Sequence, residues 1–229
     1  MPPPPCYICG SAAGTTTDHV FPRCLFAKPL PLDMLTAPAC SDCQQLLQPD
    51  EEVFRNFVAA GSYGDATARA LWETKVARSL ANSPGLRTTF VNSIKTMEWK
   101  SPGGVILGDL TVVEGAKDRT ENVLRKIVRG LYFLDSGGQV MPFDVRYRME
   151  QVSPLNASMP ESVMDIYHGI ELRTVGGDVR YKFQIFAEEQ RATASWMAFY
   201  GRIMFVVFTW PDDVELPIPA NERPEAAPT

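Results

Sequence analysis

The chain has 229 residues, of which 45% are hydrophobic and 21% charged. This is the ordinary composition of a protein that buries a core in one domain or two. No stretch approaches the roughly 18–20 unbroken apolar residues of a membrane span, so no membrane partner is expected. The net charge of −5 and the isoelectric point near 5.2 lack the basic footprint of most nucleic-acid binders.

The charge is unevenly spread. Lys and Arg set against Asp and Glu give −4 over residues 1–65, +5 over 66–132 and −6 over 133–229. The basic middle, with Arg119, Arg125, Lys126 and Arg129 in one stretch, reads either as a phosphate-facing surface or as the solvated faces of amphipathic helices. The opening Met1 to Pro5 is a proline run without a basic n-region or an apolar h-region. It is therefore not a signal peptide, and a cytoplasmic location is the expectation.

In chain order, residues 1–60 form a loop-rich unit holding every cysteine, and Pro49 to Ala60 turns helical. Asp50, Glu51 and Glu52 load the first turn of that helix with acid. From Asp65 to Asn82, Ala68, Leu71, Trp72, Val76 and Leu80 recur at helical spacing, and Ser83-Pro84-Gly85 ends the run. A further helix is expected over Leu86–Met97 and a strand over Val105–Val113. Thr120–Phe133 is helical again, with Val123, Leu124, Ile127, Val128 and Leu131 as its apolar stripe.

The last hundred residues read as strands over Gln139–Arg148, Ile170–Thr174, Val179–Phe186, Ala192–Phe199 and Arg202–Phe208. Their aromatic residues, Trp196, Phe199, Phe205 and Phe208 among them, fit a sheet core at strand periodicity better than a base-stacking platform. The fold class is α+β. An N-terminal module over 1–60 precedes an α+β domain over 61–210, with a helical middle and an antiparallel β-rich part, and a disordered tail covers 211–229.

Four of the five cysteines fall into two Cys-x-x-Cys pairs. Cys6-Tyr7-Ile8-Cys9-Gly10 is a zinc-knuckle turn, in which glycine lets the backbone curl towards the metal. Cys40-Ser41-Asp42-Cys43 follows after 30 residues and completes a four-thiolate set suited to a closed, structural tetrahedral zinc. Two unrelated buried pairs are the bland alternative. Cys24 stands alone, with no base beside it in sequence, as a small buried residue. Between the knuckles lies Thr17-Asp18-His19-Val20-Phe21-Pro22. An Asp-His pair on a loop anchored at both ends has the rigidity that a metal ligand and a general base require.

The segments CYICG, TTTDHVFPRCLF and PACSDCQQLLQPDEEVFRNF together resemble the HNH (ββα-metal) endonuclease family, bacterial and phage type, over residues 6–57. The resemblance implies an N-terminal ββα-metal module in a metal-dependent endonuclease that hydrolyses phosphodiester bonds, with nucleic acid, DNA in particular, as its partner. His19 would be the general base on water, and Asp18 would hold a catalytic Mg2+ or Mn2+. Where many members carry Asn or His after the last knuckle cysteine, as second metal ligand, this chain has Gln44. Its carbonyl can ligate a hard cation from about one bond length further out. The family's central Asn, which orients the base, is replaced by Leu35 and Thr36, where a backbone carbonyl could substitute. Asp50, Glu51 and Glu52 could supply another carboxylate or simply be the acid of a helix start. These departures keep a second reading open: a catalytically decayed HNH-like zinc protein that binds nucleic acid or a protein partner.

Overall fold

The computed structural model describes residues 3–100, 106–113, 116–152 and 167–214. Its N-terminal end is organised by two hairpin-like returns of the chain. In the first, Cys6 N–H donates to Ala12 O at 2.8 Å and Gly10 N–H to Cys6 O at 2.8 Å, while Pro5 bridges to Ala13. Gly10 sits at φ +67°, a conformation that costs glycine little and a side chain much. In the second, strand β1 (Thr16–His19) pairs antiparallel with β2 (Thr36–Ala39), with Thr16 opposite Ala39 and His19 opposite Thr36. The link between them makes a single 3-10 turn at Arg23–Leu25.

Helix α1 (Ser41–Gly61) starts on the residue after Cys40. It is a longer helix than the sequence predicts, because Pro49 lies inside it rather than at its first turn. Proline at that point removes one helical hydrogen bond and costs about 3 kcal/mol in a helix interior. The knuckle fixes the helix N-terminally, and Phe54 to Ala59 bury its far half. Asp50, Glu51 and Glu52 are not a helix start. Asp50 accepts from Asn122 Nδ2 at 2.8 Å, Glu51 pairs with Lys126, and Glu52 pairs with Arg55 at 3.3 Å.

After α1 come α2 (Ala66–Leu71), a π-turn at Trp72–Val76, α3 (Ala77–Asn82) and α4 (Pro84–Asn92). The Asp65 carboxylate caps α2 by accepting from the Thr67 and Ala68 amides. The chain leaves α4 five residues before the expected end, and Ile94 begins β3 (Ile94–Lys100), paired antiparallel with β4 (Ile106–Val113). The β-branched Ile94 and Thr96 and the aromatic Trp99 favour the strand. Helix α5 (Lys117–Asp135) buries the predicted stripe from Val123 to Leu131.

The closing sheet has the order β5-β9-β8-β7-β6, antiparallel throughout. Its strands are β5 (Val145–Val152), β6 (Arg173–Val175), β7 (Val179–Ile185), β8 (Thr193–Phe199) and β9 (Ile203–Pro211). Residues 139–144, expected as the start of a strand, are irregular; the expected Ile170–Thr174 strand shortens to β6, and β9 reaches Pro211. The turn expected at 101–104 and the tail from residue 215 lie outside the described residues.

One buried cluster joins the two ends of the chain. Phe54 of α1 packs on Phe199 at 5.3 Å and Phe205 at 5.9 Å, and Phe21 packs on Tyr181 at 5.2 Å. Cys6, Tyr7 and Cys40 belong to the same cluster as Met197 and Val207. The opposite sheet face carries a smaller cluster around Tyr167, Ile170, Ala194 and Val206, against which Trp196 and Phe208 pack. The aromatic strands thus serve packing on both faces. No helix among the described residues is long and apolar enough to cross a membrane.

Candidate metal centre and the Asp18–His19 site

The first knuckle precedes β1 and the second spans the β2–α1 junction, so pairing β1 with β2 brings the two together. The four Sγ atoms of Cys6, Cys9, Cys40 and Cys43 all lie within 4.8 Å of one another, and Cys9 Sγ is 3.9 Å from Cys40 Sγ. These residues are close enough to hold a metal ion. Thiolates bound to zinc at about 2.3 Å would be about 3.8 Å apart, which this spacing fits. Burial pushes the Cys6 and Cys43 thiols up. Burial also opposes charge on Cys9, but hydrogen bonds from the Ser11 side chain and from the Ala12 and Ser11 backbone outweigh it and bring that thiol down to about 6. These hydrogen bonds favour the thiolate, the metal-ligating form, at Cys9. Cys24 is different: burial pushes its thiol up to about 12, and its Sγ points at Glu51 O, 3.4 Å away.

Tyr7, one of the two residues between the first two cysteines, connects this centre to the Asp-His pair. Tyr7 is fully buried, its N–H donates to Pro38 O at 2.9 Å, and its hydroxyl donates to Asp18 Oδ2 at 2.7 Å. Burial, followed by the Asp18 charge and hydrogen bond, raises the Tyr7 phenol well above its ordinary range and keeps it a donor. The same Asp18 Oδ2 lies 2.9 Å from Lys126 Nζ. Lys126 also pairs closely with Glu51 Oε1. The Lys126 side chain is 2% exposed and that of Asp18 14%. Burial raises the Glu51 carboxyl, against the opposing pull of Lys126.

His19, next on β1, has its Nδ1 buried without a hydrogen-bond partner. Burial lowers its pKa, as do Arg23 and Lys126, while Asp18 acts in the other direction. No backbone carbonyl bonds His19 Nδ1 in place of the family's Asn, and Leu35 O accepts from Val20 N–H at 3.0 Å. Gln44, in the first turn of α1, donates from Nε2 to Thr17 O at 3.2 Å.

The fit of a second, divalent ion follows from these contacts. One Asp18 oxygen already accepts from a phenol and an ammonium, and the nearest second carboxylate, Glu51, shares that ammonium. The four cysteines are the one cluster of three or more His, Cys, Asp or Glu donors among the described residues. As they stand, Asp18, His19 and Gln44 do not fit a hard divalent cation, which wants several oxygens around it.

Sequence reasoning missed Tyr7 and Lys126; Glu51 is one of the three acids that could supply a further carboxylate, and it pairs with Lys126. Lys126 counted as part of a basic face, together with Arg129. Both are buried: Arg129 donates to Met141 O at 2.7 Å and stacks on Phe143 at 4.1 Å. Periodicity places Lys126 off the apolar stripe; it is buried because α5 is covered on nearly all sides from Lys126 to Phe133. Arg125 is half exposed, lies over the Tyr147 ring at 4.5 Å and pairs with Glu121.

Comparisons with family models, with curated proteins and with solved structures return no match.

Proposed function

We propose that this chain is a zinc-clamped protein of the HNH (ββα-metal) type that hydrolyses phosphodiester bonds in DNA. In this reading Cys6, Cys9, Cys40 and Cys43 hold one structural zinc, and His19 is the general base. The observation that carries it is the bridge from α1 to β1, where Gln44 Nε2 donates to Thr17 O. Through it the residue after the last knuckle cysteine stands against the strand that ends in Asp18 and His19. The three parts of the motif, 6–10, 17–22 and 40–44, meet around one hairpin and one helix start.

The chemistry asked of His19 is to take a proton from water as the water oxygen bonds to phosphorus and the ester oxygen leaves. Rigidity comes from the clamp: β1 is tied to β2 on one side and, through Tyr7, to the first knuckle on the other. The donor set of four cysteines, with no carboxylate or histidine among them, matches closed structural zinc sites rather than open catalytic ones.

A second reading, a zinc protein that binds nucleic acid or a protein partner without hydrolysis, is favoured by one observation. Asp18 is held by Tyr7 and Lys126 instead of facing an open site. The zinc-loaded protein incubated with supercoiled plasmid, single-stranded DNA and RNA separates the two, using Mg2+, Mn2+ or neither. Nicking of plasmid is the expected result. Inertness on all three substrates, with retained binding in a gel shift, would leave the second reading standing.

A further inference from the structure

The ammonium of Lys126 lies where the HNH resemblance puts an inorganic cation. It arrives from α5, outside the knuckle module, and meets Asp18 Oδ2 at 2.9 Å and Glu51 Oε1 more closely still. Two carboxylates thus share a single buried positive charge, and the Tyr7 hydroxyl donates to one of them, Asp18. Burying an ammonium is tolerated only with such partners, since unpaired it would lose its proton or its place.

The packing of α5 fixes it there. Gly130, one turn further along the same face, faces Val20, the residue after His19. A Cβ on Gly130 would come within 2.7 Å of both Val20 methyl carbons. The helix therefore lies in direct contact with the continuation of the Asp18–His19 strand, and the Lys126 side chain is held there at 2% exposure. A divalent ion entering at Asp18 would have to share a carboxylate oxygen with this ammonium or expel it into a packed core. Both are opposed by like charge.

We propose that Lys126 is the resident cation of this site: its ammonium occupies the place of a divalent ion, so that Asp18 holds no second metal. Lys126 acts here as a positioning residue. It is too buried to touch a substrate phosphate, and its work is to neutralise and orient Asp18 beside His19. The inference concerns the Asp18 pocket alone and stands whether the module cuts nucleic acid or only binds it.

The test is Mn2+ binding, followed by electron paramagnetic resonance on the zinc-loaded full chain, and it uses no substrate. The wild type and Asp18→Asn should bind Mn2+ alike, since Asp18 contributes no ligand. Lys126→Met, which keeps the aliphatic volume and deletes the charge, should gain one Mn2+ per chain, and Asp18→Asn added to it should remove that gain. A wild-type Mn2+ site that vanishes in Asp18→Asn overturns the proposal. So does a folded Lys126→Met chain that gains no Mn2+, because the ammonium would then not be what fills the place. If Lys126→Met does not fold, the comparison of wild type with Asp18→Asn decides alone: equal binding upholds the proposal and a loss refutes it. Failure of plasmid nicking leaves every one of these readings intact.

Discussion

The Tyr7 hydroxyl donates to Asp18 Oδ2 at 2.7 Å, and so ties the turn between Cys6 and Cys9 to the carboxylate beside His19. A fully buried side chain thus links the four-cysteine cluster to the strand that carries Asp18 and His19. Tyr7→Phe keeps the ring and deletes the donor. A hydrogen bond to a charged group is worth about 1.5–3 kcal/mol, so the denaturation midpoint should fall accordingly with an unchanged denaturant slope. Zinc content should not change. An unaltered midpoint would mean that Lys126 alone holds Asp18.

The cysteine cluster predicts about one zinc per chain by elemental analysis, abolished by Cys40→Ser. Because Cys6, Tyr7 and Cys40 share a buried cluster with Met197, Phe199 and Val207, removing the metal should loosen the sheet as well as the knuckles. Hydrogen exchange of β8 amides before and after chelation reads this directly. Unchanged protection of β8 in the metal-free protein would show that the sheet stands on its own.

Lys126→Ala should destabilise the fold by about 3–5 kcal/mol, the usual cost of removing one partner from a buried ion pair. Replacing Glu51 as well should recover part of that loss in a double-mutant cycle, because both act through one contact. Purely additive losses would deny the coupling.

The basic middle of the chain divides into two groups, and the distinction changes how DNA binding must be tested. Reversing Lys126 or Arg129 would report unfolding, since both are buried. Arg125, half exposed, is the clean probe. If it faces phosphate, Arg125→Glu should weaken DNA binding and reduce the salt slope by about one phosphate contact. An unchanged slope would leave Arg125 to its contacts with Tyr147 and Glu121.

Gly130→Ala offers a test of how closely α5 must approach the site. The added carbon would lie 2.7 Å from both Val20 methyl carbons, so either the helix or the Asp18–Val20 strand end must shift. Overpacking of this kind costs about 1–3 kcal/mol. A wild-type midpoint for Gly130→Ala would show that the contact is slack.

Local pattern carried much of this structure. Cys-x-x-Cys spacing led directly to the observed four-sulfur cluster, and the Val123–Leu131 periodicity led to α5. Turn chemistry misled at Pro49, where proline followed by three acids resembles a helix start; the true start is set by the knuckle at Cys40, a tertiary constraint with no local signature. The Ile94 region passed as helix because its apolar spacing fits either period over so short a run. What sequence could not show is the convergence of Tyr7 and Lys126 on Asp18, with Glu51 on the far side of the Lys126 ammonium. Lys126 is 108 residues from Asp18, and its role exists only once α5 has docked.

The most direct test of the account is the rate of plasmid nicking by His19→Ala against wild type at matched zinc content. His19 stands at the end of β1, with Nδ1 buried and without a protein partner. As the general base it should be worth about 10²–10⁴-fold in rate, with zinc content and melting behaviour preserved. A His19→Ala protein that nicks plasmid at the wild-type rate, zinc in place, would contradict the central claim.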